Sequence, residues 1–180
     1  MGMPEQVIEA TLRVIESGGL KDVTVRRVAD EIGRSTTVVT HYFPTREDLL
    51  VSALGSSFAH TKAEAKRAME ESEDPLWAFL NWSVSVHHRG VWLELMAASV
   101  AGIEASVSRQ VDEILEWWDA QLLELLEGRI APGRTPQEVC DIMGIVVDGI
   151  LFASNRDLPS RLNAEDLLSA TILHLLTKQP

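Results

Sequence analysis

The chain has 180 residues, of which 46% are hydrophobic and 24% are charged, as in an ordinary globular protein rather than a disordered or fibrous one. Sixteen Lys and Arg residues against 27 Asp and Glu residues give a net charge of −11, which argues against a general polyanion binder. The single cysteine, Cys140, excludes a disulfide framework and a cysteine-rich metal site. Because the first six residues lack the pattern of a secretory signal, we expect a cytoplasmic protein.

The N-terminal third of the chain carries the signals of four helices. Apolar residues three and four positions apart predict a first helix over 6–18. Thr24 is a favourable N-cap for a short second helix, and Ser35 is one for a third helix over 36–42. Thr45 has the spacing of a capping box with Asp three residues later, and it predicts a longer fourth helix that ends near residue 69.

Five further helices are predicted after an acidic linker at 70–74. They span 75–88, 91–99, 104–127, 135–153 and 163–177. The strongest start signal is Thr135-Pro136-Gln137-Glu138, a full capping box with proline at the first helical position. Because no segment alternates in the manner of a β-strand, the sequence predicts an all-α protein of about nine helices.

The two short helices within residues 23–50 have the dimensions of a helix-turn-helix motif. Ala29 is small where the helices must cross, and the turn between them contains Gly33. The apolar residues that can form the core between the helices are Val25, Val28, Ile32, Val39 and Phe43. The second helix then presents Thr36, Thr37, Thr40 and His41 outward. Such short hydrogen-bonding side chains suit base edges and phosphate oxygens in a major groove.

Residues 24–33 (TVRRVADEIG) and 41–50 (HYFPTREDLL) resemble the DNA-binding signature of TetR/AcrR-type transcriptional regulators. The match covers about the first 50 residues, and beyond them the similarity is one of architecture. The resemblance implies a DNA-binding domain at 1–46 and a helical ligand-binding and dimerisation domain at 47–180. It also implies a repressor that a small hydrophobic or aromatic molecule, with cations included, releases from a pseudo-palindromic operator.

The resemblance assigns the DNA contacts residue by residue. Thr24 corresponds to a cap that contacts phosphate, and Arg46 to a basic residue that contacts phosphate. Thr36 and Thr40 depart from the family pattern, in which lysine and tyrosine are frequent at these positions. The predicted DNA-binding residues are Thr24, Arg26, Ser35, Thr36, Thr37, Thr40, His41, Tyr42 and Arg46.

All five tryptophans lie between residues 77 and 118. Such aromatic density suits a concave apolar pocket, whereas the more common use of any single tryptophan is to fill the core, as we expect for Trp118. Glu94 and Asp148 are carboxylates in apolar stretches, where they would either hold a cationic ligand beside the aromatic rings or face solvent. The predicted ligand-binding residues are Trp77, Trp82, Trp92, Glu94, Trp117 and Asp148.

The last two predicted helices carry apolar residues on more than one side. A single helical body does not easily cover both sides, so we expect a two-fold homodimer that forms a four-helix bundle. The predicted interface residues are Ile145, Gly149, Phe152, Leu168, Ile172 and Leu175. The alternative is a monomer whose last helices are buried internally.

The sequence contains no metalloprotease motif, no catalytic triad spacing and no glycine-rich phosphate loop. His87 and His88 are adjacent on a predicted helix and would diverge by about 100°, so they do not predict a metal site. We therefore expect neither a cofactor nor an enzyme. Two alternatives stay open at this point: a helical-bundle enzyme with a buried carboxylate, and an adaptor protein without sequence-specific DNA binding.

Overall fold

The computed structural model describes residues 2–85, 89–102, 104–155 and 163–176. Within these ranges it contains nine α-helices, one 3-10 turn and no β-strand, which confirms the predicted all-α fold. The helices are α1 Met3–Gly18, α2 Val25–Glu31, α3 Thr36–Tyr42, α4 Arg46–Glu70, α5 Pro75–Ser85, α6 Arg89–Val100, α7 Ala105–Leu125, α8 Pro136–Asn155 and α9 Ala164–Ile172. The 3-10 turn Leu20–Asp22 connects α1 to α2.

The helix starts follow from side-chain caps that the sequence predicts. The Thr24 hydroxyl accepts a hydrogen bond from the backbone N–H of Arg27 at 3.1 Å. Thr135 and Glu138 form a reciprocal capping box, in which the Thr135 N–H donates to the Glu138 carboxylate at 2.8 Å and the Glu138 N–H donates to the Thr135 hydroxyl at 3.2 Å. Asn163 accepts from the backbone N–H of Asp166 at 2.8 Å. These predicted caps are confirmed.

Two predicted helix ends differ from the structure or fall outside it. The last helix ends at Ile172 and a turn follows at Leu173, so α9 is shorter than the predicted 163–177. The predicted end of the fifth helix near residue 88, and with it the His87-His88 pair, lies outside the described residues.

The first of two compact units consists of residues 1–62 and 90–114. It contains α1 to α3, the beginning of α4, α6 and the first part of α7. In the helix-turn-helix core Val28, Ala29, Val39 and Phe43 are buried, as predicted. Val25 and Ile32 are only half-buried, because helices of seven residues present a narrow face to the core.

The second compact unit consists of residues 63–89 and 115–180. Within it α5, α8 and α9 contact one another, and Phe79, Leu122, Met143 and Leu168 are all fully buried. The two compact units divide within α4, after residue 62, whereas the predicted boundary between a DNA-binding and a ligand-binding domain lies after residue 46. The domain boundary at residue 46 stays a prediction.

An ion pair fixes the connection that follows α7. The Arg129 guanidinium donates two hydrogen bonds to the Asp74 carboxylate, at 2.8 and 2.9 Å. Asp74 also accepts from the backbone N–H of Trp77 at the start of α5. The hydrogen bonds from Arg129 hold the pKa of Asp74 below its usual value, and the same contact raises the pKa of Arg129.

In the described part of the chain no single helix is long and apolar enough to cross a membrane. One consecutive pair, Val91–Val100 and Ala105–Leu125, meets the criterion together by length and composition, with a bend of 115° between the two helices.

Candidate DNA-binding surface and effector site

The turn between α2 and α3 has the hydrogen bonding of a Schellman motif. Gly33 has φ of +63°, its N–H donates to the Asp30 carbonyl at 3.2 Å, and the Arg34 N–H donates to the Ala29 carbonyl at 3.0 Å. The left-handed backbone conformation favours glycine at this position. The turn ends α2 abruptly and allows α3 to begin three residues later.

Helix α3 presents the polar face that the sequence predicts. Val39 is its one buried residue among the seven described, and it anchors the helix on the core. The exposed residues are Thr36, Thr37, Thr40, His41 and Tyr42. The Tyr42 ring is 42% exposed and lies edge-on to His41, with ring centroids 4.8 Å apart. The exposed face of α3 therefore offers two aromatic rings and four hydroxyl groups, three from threonines and one from Tyr42.

The Thr40 hydroxyl lies 3.1 Å from the carbonyl oxygen of Thr36 and 3.3 Å from that of Thr37. When it donates its proton to one of these carbonyls, its lone pairs still point outward. In that state Thr40 accepts a hydrogen bond from a base amino group and contacts a thymine methyl with its own methyl group.

The predicted phosphate contacts at the edge of the motif are exposed. Thr24 and Arg26 lie at the start of α2, where Thr24 is also the N-cap. Ser35 occupies the predicted N-cap position of α3 with an extended backbone, but its side chain makes no cap hydrogen bond, so the predicted side-chain cap is wrong. Thr24, Arg26 and Ser35 are therefore accessible to DNA.

Arg46 has partners within the chain itself. The guanidinium donates to the carbonyls of Val23 and Leu20 and to the Glu104 carboxylate, each at 2.7 Å. Its side chain is 36% exposed. The role as a phosphate contact that the resemblance implies stays a prediction. Sequence reasoning missed Glu104 because 58 residues separate the two side chains.

Four aromatic rings in the second compact unit form a cluster around Phe79. The Phe79 ring centroid lies 5.8 Å from that of Trp82, 6.0 Å from that of Trp117 and 5.6 Å from that of Trp118. Trp82 and Trp117 contact each other edge-on at 6.3 Å, and both are half-buried. We call Phe79, Trp82, Trp117 and Trp118 the aromatic cluster. Phe79 was not among the predicted residues, although it precedes Trp82 by three positions on the same helix.

Trp118, which was predicted to fill the core, is only half-buried, although its side chain is held within its own unit. Its indole N–H donates to the Ser83 hydroxyl at 2.8 Å, and Ser83 donates to the Phe79 carbonyl at 2.8 Å. A Cβ atom added at Gly144 would lie 3.8 Å from the Trp118 ring, so this glycine faces its own chain.

The other predicted ligand-binding residues have varied environments. Trp77 is half-buried in the second unit and Asp148 is exposed there, while Trp92 is half-buried on α6 in the first unit. Glu94 accepts a hydrogen bond from the Leu20 N–H at 2.7 Å. The Glu94 carboxylate thus binds backbone near the DNA-binding helices, whereas the sequence suggested a ligand or solvent.

The predicted dimer interface divides into exposed and buried residues. Ile145 is 73% exposed and Phe152 is 50% exposed, and Gly149 on the same face of α8 is exposed as well. Leu168, Ile172 and Leu175 are buried within the chain, so they provide no surface for a second copy. This part of the prediction is corrected. Periodicity marked these leucine and isoleucine positions as apolar, but α5 and α8 already cover α9.

Two observations concern the reactive side chains of the described residues. No group of three or more His, Cys, Asp or Glu side chains among them has the arrangement of a metal site. Burial, together with the negative charge of Asp119, raises the pKa of the Cys140 thiol to about 12. The thiol therefore stays protonated at neutral pH.

A helix-turn-helix with an exposed polar second helix, carried by an all-α chain, defines a DNA-binding regulator. Residues 7–53 match the family model described as bacterial regulatory proteins, tetR family. The N-terminal part of the chain therefore has the helix-turn-helix DNA-binding domain of that family, as the resemblance predicted. The relatives and solved structures that match most of the chain are named as transcriptional regulators.

Individual proteins extend the similarity beyond the N-terminal helices. The HTH-type transcriptional repressor KstR of Mycobacterium tuberculosis is 26% identical over 168 residues, which cover 91% of this chain and 74% of the relative. A transcriptional regulator from Rhodococcus sp. RHA1 has a TM-score of 0.82 at 19% identity, over 98% of this chain and 99% of that chain. A transcriptional regulator from Saccharomonospora viridis, solved in complex with choline, has a TM-score of 0.82 at 15% identity, over 97% of both chains. These solved structures have the same fold.

Proposed function

We propose that the protein is a ligand-responsive repressor that binds a pseudo-palindromic operator as a homodimer in the cytoplasm. The observation that carries the proposal is the helix-turn-helix at 24–43, whose second helix buries Val39 and exposes threonine, histidine and tyrosine side chains. A relative that is named a repressor and matches 91% of this chain supports repression as the outcome of binding.

In this proposal α3 lies in the major groove of duplex DNA and reads base edges with its exposed face. Thr37, Thr40 and His41 supply short donors and acceptors, and Tyr42 supplies a ring for sugar or methyl contacts. Thr24, Arg26 and Ser35 contact phosphates at the margin of the groove. The affinity should therefore fall steeply as the salt concentration rises.

The proposed dimer uses the exposed face of α8. Ile145, Gly149 and Phe152 lie four and three residues apart, so they form one stripe along the helix. No atom lies within 4 Å of a Cβ added at Gly149, so a second helix has room to approach there. A two-fold pair of such stripes would place two copies of α3 on the two halves of a palindrome.

The proposed effector is a small apolar or aromatic molecule, including a quaternary ammonium cation, that binds against the half-buried Trp82 and Trp117. Indole rings attract cations through their faces and bury apolar groups equally well. The choline complex of the Saccharomonospora viridis regulator supports a cation as one ligand class. Binding would favour the dimer geometry that does not fit the operator, by at most the difference in affinity between the two states.

The DNA-binding part of the proposal is tested by selecting duplexes from a random pool with the purified protein and measuring affinity for the selected sequence. Thr40→Ala should weaken binding to the selected duplex by about tenfold, since one good base contact is worth about 1–3 kcal/mol. Thr171→Ala is the matched control, because Thr171 is also exposed and its hydroxyl also donates to the carbonyl four residues earlier. Equal affinity for random duplexes would favour the adaptor alternative.

The effector part is tested by tryptophan fluorescence with choline and with a neutral aromatic compound as probes. Quenching that disappears in Trp82→Phe and Trp117→Phe, but persists in Trp77→Phe, supports binding at the aromatic cluster. Trp77 is the control because it lies on α5 with Trp82 and is half-buried as well. Quenching without a change in DNA affinity would show a binding site that does not regulate.

A further inference from the structure

A carboxylate from α6 binds the connection between α1 and α2. Glu94 accepts the Leu20 N–H at 2.7 Å, and both residues belong to the first compact unit. Gly19 has φ of +81°, and a Cβ atom there would lie 2.5 Å from Oε1 of Glu94. The contact therefore depends on a glycine at position 19, because any side chain would displace the carboxylate.

Arg46 holds the same connection from the other side. Its Nη2 donates to the Leu20 carbonyl and its Nε to the Val23 carbonyl, so one guanidinium spans the 3-10 turn. Its Nη1 donates to Glu104, which directly precedes α7. Planar guanidinium groups suit such simultaneous contacts because their donors have a fixed geometry. Arg46, Glu94 and Glu104, with the backbone of residues 20–23, are called the turn cluster below.

We propose that the turn cluster sets the orientation of the DNA-reading helices, and that Arg46 acts on DNA binding as a positioning residue through Glu104 and residues 20–23 rather than by contacting phosphate. Residue 23 is followed directly by the Thr24 cap, after which α2 packs on α3. A shift of the backbone at residues 20–23 would therefore move both helices of the motif.

The acidic members of the turn cluster come from α6 and from the residue directly before α7, outside the helix-turn-helix. The hydrogen bonds of Glu94 and Glu104 therefore give α6 and α7 a direct mechanical connection to the DNA-reading helices. The idea that an effector acts through this connection rests on the proposed function. The positioning role of Arg46 does not depend on an effector.

For the removal of Glu104, the positioning role and simple electrostatics predict opposite changes in DNA affinity. Removal of a carboxylate from a protein that binds DNA makes the protein less negative and should strengthen binding if no other change occurs. If Glu104 positions Arg46, its removal weakens binding instead. If Arg46 contacted phosphate, Arg46→Ala would also reduce the slope of log affinity against log salt concentration by about one unit.

The experiment measures the affinity of wild type, Arg46→Ala, Glu104→Ala and the double variant for the duplex selected by the wild-type protein, at several salt concentrations. We expect each single variant to bind about tenfold more weakly, the double variant to match the weaker single variant, and the salt slope to stay unchanged. The proposal is overturned if Glu104→Ala binds as well as or better than wild type, or if Arg46→Ala lowers the salt slope by about one.

A neighbouring ion pair provides the matched control. Glu47 and Arg109 also connect α4 to α7, at 3.6 Å, but their side chains are 62% and 66% exposed. The single variant Glu47→Ala removes a negative charge from α4, next to Arg46, and Arg109→Ala removes a positive charge from α7, near Glu104 in sequence. Neither should reproduce the tenfold loss, because neither of these side chains belongs to the turn cluster.

A second measurement tests the turn cluster without DNA. Amide hydrogen exchange at Leu20 should be about tenfold faster in Glu94→Ala than in wild type, because the N–H loses its acceptor. Glu94→Gln should restore slow exchange, since the amide oxygen still accepts. Unchanged exchange in Glu94→Ala would overturn the proposal, whereas failure to select any duplex would contradict the proposed function alone.

Discussion

The exposed stripe on α8 gives a quantitative prediction for dimerisation. Ile145→Glu combined with Phe152→Glu replaces the two large apolar side chains of the stripe by charged ones. Both are exposed in the single chain, at 73% and 50%, so the variant should still fold. In a dimer, the same substitutions would bury carboxylates against a second copy.

The expected loss follows from the exposed fractions. Full burial of an isoleucine or phenylalanine side chain stabilises by about 1.5–3 kcal/mol. Scaled by the exposed 73% and 50%, the two side chains would contribute about 2–4 kcal/mol per copy and about 4–7 kcal/mol per symmetric dimer. Loss of this contribution corresponds to a dissociation constant about three to five orders of magnitude higher.

Sedimentation at micromolar concentration measures the effect, and far-UV circular dichroism checks the fold. Val100→Glu is the control, since Val100 is 85% exposed but lies on α6. By contrast, Ile172→Glu and Leu175→Glu should unfold the chain, because these side chains are buried within it. A double variant that remains dimeric, or a wild-type protein that sediments as a monomer, would refute the reasoning.

Three further predictions concern stability and reactivity. Gly33→Ala should destabilise the fold by about 1–2 kcal/mol and lower Tm by several degrees, because alanine is strained at the positive φ. Gly33→Asn should lose less stability. Equal Tm values for wild type and Gly33→Ala would contradict this prediction. Because the pKa of Cys140 is raised to about 12, a thiol reagent at neutral pH should modify the folded protein far more slowly than the unfolded one, and equal rates would count against it. Arg129→Ala should destabilise by about 1 kcal/mol at about pH 7, after allowance for screening at the half-exposed pair. Arg129 lowers the pKa of Asp74 in the folded state, so the stability difference between wild type and Arg129→Ala should be fully present above the unfolded pKa of 3.8. Denaturation curves should show that this difference disappears as pH falls through the folded-state pKa. A stability difference that persists at about pH 2 would contradict the assignment.

Features that depend on residues close in sequence were predicted well. The Thr24 and Thr135 caps, the glycine turn at Gly33 and the exposed face of α3 all involve residues three to five positions apart. Over such distances backbone geometry fixes which side chains meet, so spacing alone carries the information. The same spacing made the family resemblance visible before any tertiary contact was known.

Tertiary structure alone decided the hydrogen-bond partners of Arg46 and Glu94. The carboxylate partner of Arg46 lies 58 residues away in the chain, and the backbone partner of Glu94 lies 74 residues away. No local pattern indicates such pairings. It also decided which apolar residues of the last two helices are covered. Periodicity marks a face as apolar but not whether its own chain covers it, and here α9 is buried at Leu168 and Ile172 while α8 leaves Ile145 exposed. Hydrophobic burial is non-directional, so only the packed structure distinguishes an internal core from a surface open to a partner.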